Sequence, residues 1–126
     1  MGNKTPKPTE SEQEILQALW QLGQATVRQV HDAMDSEVRY TTVLKQMQVM
    51  TEKGLLVRDE SQRSHIYRSR QKPETMQRSL VSDLMSRVFG GAADKLVMQA
   101  LNAKKTTPDE IAAIRQFLDE IEEKQK

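Results

Sequence analysis

Apolar residues recur at helical spacing in six stretches, with two short β-type runs between the third and the fourth and a break at Lys72-Pro73. Together these predict a mainly α fold with one small hairpin. Three helices followed by a polar-tipped hairpin is the order of a winged helix-turn-helix. The expectation is therefore an N-terminal winged helix-turn-helix with a β-hairpin wing, followed by a C-terminal helical dimerisation region. Its expected organisation is a flexible arm over 1–8, a winged-helix domain over 9–72 and a helical dimerisation domain over 73–126. With 126 residues, 37% hydrophobic content, seven Met and only one Trp, two Tyr and two Phe, the interior should be aliphatic. So short a chain buries little surface alone, and a second copy would enlarge the core.

Each element has a local reason. Thr9 and Glu12 form a Thr-x-x-Glu capping box, after which Ile15, Leu16, Leu19 and Trp20 repeat at helical spacing until Gly23. Thr26 and Gln29 cap a second, short helix with Val27, Val30 and Met34 on one stripe, ending near Asp35 and Ser36. The segment Tyr40–Lys53 holds the third helix, expected to start at Thr41 or Thr42 and to end at Gly54. Val43, Leu44, Met47 and Met50 fall within about 120° of its wheel as an apolar back. Leu55 to Arg58 and His65 to Arg68 read as strands joined by the turn Ser61-Gln62-Arg63-Ser64.

Pro73 suits the first turn of a helix and disfavours helix just before itself, so a new region begins there. From Glu74 to Phe89 the stripe Met76, Leu80, Val81, Leu84, Met85 and Val88 is wider than a small wing domain can cover. A short helix over Ala92 to Leu101 adds Leu96, Val97, Ala100 and Leu101. Thr107-Pro108-Asp109-Glu110 then caps a last helix whose Ile111, Ile114, Leu118 and Ile121 make a short heptad-like seam beside Phe117. The expected dimerisation residues are Met76, Leu80, Leu84, Val88, Leu96, Ile111, Ile114, Phe117, Leu118 and Ile121.

Charge points to the ligand. The whole chain carries 19 Lys and Arg against 18 Asp and Glu, yet Arg39 to Lys72 holds eight basic and three acidic residues. A local surplus on a near-neutral chain marks a basic face, as nucleic acid requires. A recognition helix needs an apolar back, short hydroxylated residues at its N-terminus and longer polar side chains further along. Thr41 and Thr42 suit phosphates or a thymine methyl, Lys45 guanine or phosphate, and Gln48 adenine; Arg39 and Gln46 complete the expected contacts. Arg63 at the hairpin tip suits the minor groove or a phosphate. The plain alternative for the helix is a solvated face, and for the hairpin a surface turn. The order of elements favours double-stranded DNA.

Other classes find little support. With no Cys there is no disulfide, thiol chemistry or Cys-based metal site, which suits a reducing cytoplasm. His31, expected in solvent beside the second helix, and His65, expected to start a wing strand, lack the partners of a metal site. No nucleophilic triad or phosphate loop is present, and Asp119, Glu120, Glu122 and Glu123 read as a solvated face. Neither enzyme activity, a cofactor nor a metal is expected. No apolar stretch approaches the roughly 18 residues of a membrane span, and Met1 to Pro8 lacks the apolar run of a signal peptide, so a cytosolic protein is expected. Trp20 reads as core. A winged-helix module that binds protein instead of specific DNA stands as the alternative, and a ligand-sensing repressor as a third reading.

Glu14-Ile15-Leu16-Gln17-Ala18-Leu19-Trp20, Tyr40-Thr41-Thr42-Val43-Leu44, Glu52-Lys53-Gly54-Leu55 and Thr107-Pro108-Asp109-Glu110-Ile111 resemble the penicillinase and methicillin-resistance repressors, the BlaI/MecI/CopY type. The resemblance runs from about Thr9 to Glu122. It implies a homodimeric repressor of a palindromic operator, with β-lactamase, cell-wall or metal-response genes as targets. In one branch it also implies a sensor-linked protease as a partner, cutting between Asn and Phe. Here the matching stretch is Leu96-Val97-Met98-Gln99-Ala100, with Gln99-Ala100 at that bond, so a cut would have to fall elsewhere in this helix. The Cys-x-Cys pair of the copper-responsive branch is absent, and Gln48 and Val49 stand where relatives often carry Arg.

Overall fold

Three threonines start three helices by the same device. Thr9 Oγ1 accepts from the Glu12 N–H at 3.2 Å while the Glu12 carboxylate accepts from the Thr9 N–H at 3.0 Å. Thr26 with Gln29 and Thr107 with Glu110 repeat the reciprocal pair. Each box satisfies donors that the first turn leaves free. In the computed structural model, described over residues 7–35 and 37–126, the elements are α1 (Glu10–Leu22), α2 (Val27–Ala33), α3 (Tyr40–Lys53), β1 (Leu56–Asp59), β2 (Ile66–Ser69), α4 (Pro73–Val88), α5 (Ala93–Asn102) and α6 (Pro108–Lys124).

This is the expected mainly α fold, three helices and a hairpin followed by three helices. Element ends differ in detail. Helix α3 starts at Tyr40, not at Thr41 or Thr42, after an extended Arg39 that makes no side-chain cap. Helix α2 stops at Ala33 because Met34 is already extended, and Ser36 lies outside the described residues. Each strand lies one residue later than expected, so His65 precedes β2. Most of the expected N-terminal arm falls outside the described residues, but Pro8 is buried and its carbonyl accepts from Gln13 Nε2.

β1 and β2 pair antiparallel, Leu56 opposite Ser69 and Asp59 opposite Ile66. Ala25 extends this sheet by one bridge, exchanging two backbone hydrogen bonds of 2.9 and 2.8 Å with Tyr67. The wing is thereby tied to the turn between α1 and α2.

The described residues divide into two units, up to Leu80 and from Val81. In the first, Ile15, Leu16 and Leu19 of α1, Val30 of α2, Val43, Met47 and Met50 of α3, and Leu55, Leu56 and Tyr67 of the wing close one core. Burying each such side chain fully contributes about 1.5–3 kcal/mol. Trp20 packs half-buried against it. So does the start of α4: Met76 is buried in this core and Leu80 rests on it. Both were expected at a subunit interface, and the apolar core of the first unit occupies them instead. That unit therefore runs past the boundary expected at Lys72.

The second unit is different in kind. No residue of α5 or α6 is buried, and these two helices pack only sparsely on one another. Between them lies an apolar groove of about 780 Å³, lined among others by Leu96, Val97, Ile114, Phe117, Leu118 and Ile121. No helix among the described residues is long and apolar enough to cross a membrane.

Candidate nucleic-acid interface

Helix α3 advances about 100° per residue, and its burial follows that turn. Val43, Met47 and Met50 have no exposed surface, while Thr41, Lys45 and Gln48 lie on the opposite side and are exposed. Thr41, Thr42, Lys45 and Gln46 line one shallow hollow of about 330 Å³ on this helix. Because Tyr40 and not a threonine opens the helix, the hydroxyls of Thr41 and Thr42 are not consumed as caps. They remain available to phosphate oxygens or base edges.

Several contacts hold α3 in place. Lys53 Nζ, in its last turn, sits 2.8 Å from Glu12 Oε2. Burial works to raise the Glu12 pKa, but the Lys53 ammonium and the Thr9 N–H and hydroxyl outweigh it and hold the carboxyl below its usual value. Thus the residue that caps α1 also anchors the end of α3. Gln46 Nε2 donates to Ser11 Oγ at 2.9 Å, so this expected base contact is already engaged with α1. Gly54 ends the helix at φ 88°, where its N–H and that of Leu55 return to Thr51 and Met50 carbonyls. Arg70 Nε donates to the Gly54 carbonyl at 2.9 Å.

The start of α3 is pinned as well. His31 Nε2 is 2.8 Å from the Val38 carbonyl, and its ring meets Tyr40 edge-on with centroids 5.9 Å apart. His31 is therefore not a solvent residue beside α2, because the Val38 carbonyl and the Tyr40 ring draw it into the turn before α3. Arg28 places its guanidinium carbon 4.3 Å from the Tyr40 ring centroid. Tyr40 stands in the sequence only as the start of the third-helix segment, and Arg28 carries no signal there at all. No spacing signals their contact, which joins α2 to α3 across the turn.

On the wing, Arg58 pairs with Glu60 at 2.7 Å and Asp59 accepts from the Ser61 N–H at 2.9 Å, shaping the tip. Arg63 and His65 are exposed there. Arg63 lines a second hollow, of about 200 Å³, with Thr26, Arg28, Tyr40, Ser64 and His65. The expected contacts thus separate into α3 residues around Thr41 and Lys45 and a wing residue grouped with Arg28. Arg39 is exposed just before α3, and Gln48 is exposed on it beyond the first hollow. Among the described residues no three His, Asp or Glu side chains gather to hold a metal.

The penicillinase repressor family matches residues 8–120, nearly the whole of both units. The chain belongs to the penicillinase repressor family. Two relatives, each called transcriptional regulator BlaI, come from Mycobacterium tuberculosis strains CDC 1551 / Oshkosh and ATCC 25618 / H37Rv. Each is 31% identical over 117 residues, covering 88% of this chain and 82% of the relative. As a penicillinase repressor family member the chain is a DNA-binding transcriptional repressor and not an enzyme. The exposed stripe of α3, backed by a closed core and followed by a wing, is the part of this family member suited to that work.

Proposed function

We propose that the chain represses transcription from the cytoplasm as a homodimer on a palindromic operator. Each α3 lies in a major groove, with Thr41, Thr42 and Lys45 toward phosphates and bases and Gln48 beyond them. Arg39 and Arg63 contact the backbone to either side. The observation that carries the homodimer is the second unit: ten large hydrophobic side chains from Val81 to Ile121 are exposed there, Val88, Met98, Phe117 and Leu118 by more than half. So much apolar surface, most of it on α5 and α6, which bury no residue, asks for a partner. A second copy supplies the same surface, as a two-fold axis requires. Leu84, Val88, Leu96, Ile111, Ile114, Phe117, Leu118 and Ile121 form the interface in this reading.

Two such domains about a two-fold axis read half-sites about one helical turn, or a little more, apart. Footprinting on DNA upstream of the chain's own gene tests this. Paired, symmetric protection is expected, and a single asymmetric site overturns the reading. Retention on nonspecific DNA should fall steeply with salt, whereas indifference to DNA at low salt supports a protein-binding module instead.

A further inference from the structure

We infer that the hollow between the start of α2, Tyr40 and the wing tip grips one backbone phosphodiester of duplex DNA per subunit, with Arg28 as its principal donor. This rests on the DNA-binding reading above and adds a contact to it. The hollow measures about 200 Å³ and is lined by Arg28, Arg63 and His65 with the hydroxyl residues Thr26, Ser64 and Tyr40, and no Asp or Glu lines it. Among the described residues no carboxylate pairs with Arg28, Arg63 or His65, although Arg58 nearby is paired with Glu60. Two guanidiniums from different elements facing one unneutralised space set up a local positive field. Their forked donors match the oxygens of a phosphate.

Arg28 is prepared for this role. At 4.3 Å from the ring centroid, Tyr40 attracts the cation and restricts it before any ligand arrives. The ring is itself fixed edge-on against His31, which is bonded to the Val38 carbonyl. Location favours a backbone phosphate over a base. Tyr40 and Leu44, which line the hollow, are each one position before Thr41 and Lys45, so the hollow borders the exposed stripe of α3 on the side toward the wing. A strand whose major groove receives that stripe carries its phosphates along such a border.

The test uses the full chain and a mixed-sequence duplex of about 30 base pairs, with affinity read by fluorescence anisotropy across a potassium chloride series. Arg28→Met, which keeps the stem and removes the charge, should weaken binding several-fold and reduce the slope of log K against log salt by about 0.9 for each subunit engaged. Arg28→Lys should keep most of the slope. Should Arg28→Met melt early, Arg28→Gln, titrated well below its own melting temperature, gives the same reading. In a second arm, millimolar inorganic phosphate at constant ionic strength should leave the melting temperature of the wild type unchanged. An Arg28-dependent rise there makes free phosphate the ligand and overturns the inference. An unchanged slope and affinity in Arg28→Met overturn it too, while leaving DNA binding intact. A wild type that binds no duplex at low salt brings down the DNA-binding reading itself, and this inference with it.

Discussion

Lys45 and Glu12 show how differently two charged residues serve one helix. Lys45 is exposed on α3 beside Thr41 and Thr42, with nothing behind it that the fold needs. Lys45→Ala should leave the melting temperature within a degree or so and cost about 1–3 kcal/mol of operator affinity, read by anisotropy on the footprinted site. Unchanged affinity at every site would remove Lys45 from the interface. Arg63→Ala at the wing tip should weaken all sequences alike and lower the salt slope by roughly 1 for each wing engaged. Glu12, by contrast, is 5% exposed and holds Lys53. Glu12→Gln should cost about 2 kcal/mol of stability at neutral pH, measured by urea unfolding. Because its pKa is lowered in the folded chain, its contribution is complete above the ordinary value of 4.5 and fades as pH falls below it. The variant should therefore lose less stability than the wild type on acidification over that range; equal acid limbs would show that the pair does not act this way.

Helices with capping boxes were the most legible elements, since Thr9, Thr26 and Thr107 each state a helix start within four residues of sequence. Thr26→Ala should cost about 1 kcal/mol, seen as a lower urea midpoint with an unchanged slope. A seven-residue helix has few other bonds with which to compensate. Helix α3 was legible through its apolar back, but its first residue was not. Threonine at 41 and 42 imitates a cap, whereas extended Arg39 begins the helix with no side-chain bond at all. The contacts that place the site were hidden for a common reason. Arg28 on Tyr40, Gln46 on Ser11 and Lys53 on Glu12 join residues of different elements, and local periodicity carries no record of such pairs. The Ala25–Tyr67 bridge is one residue long, too short to leave an alternating pattern. Met76 and Leu80 were misread because a stripe shows that a face is apolar without saying which neighbour covers it.

At the scale of the whole molecule, the first unit closes its own core and the second does not. On the homodimer reading, Phe117→Asp, at a side chain 61% exposed in the single chain, should not disturb the first unit's core. It should convert dimer to monomer in sedimentation equilibrium and reduce operator affinity more than tenfold, while the wild type's melting temperature should rise with protein concentration. A Phe117→Asp protein that sediments as a dimer would move the interface elsewhere. Helices without a buried residue also bear on how a cell would experience this repressor. When ordering the second unit and meeting a partner are one event, the functional species at low abundance grows as the square of the number of chains made. Halving synthesis would then leave about a quarter of the DNA-competent pairs. A modest fall in expression, with no inducer involved, would release the gene more sharply than proportion allows.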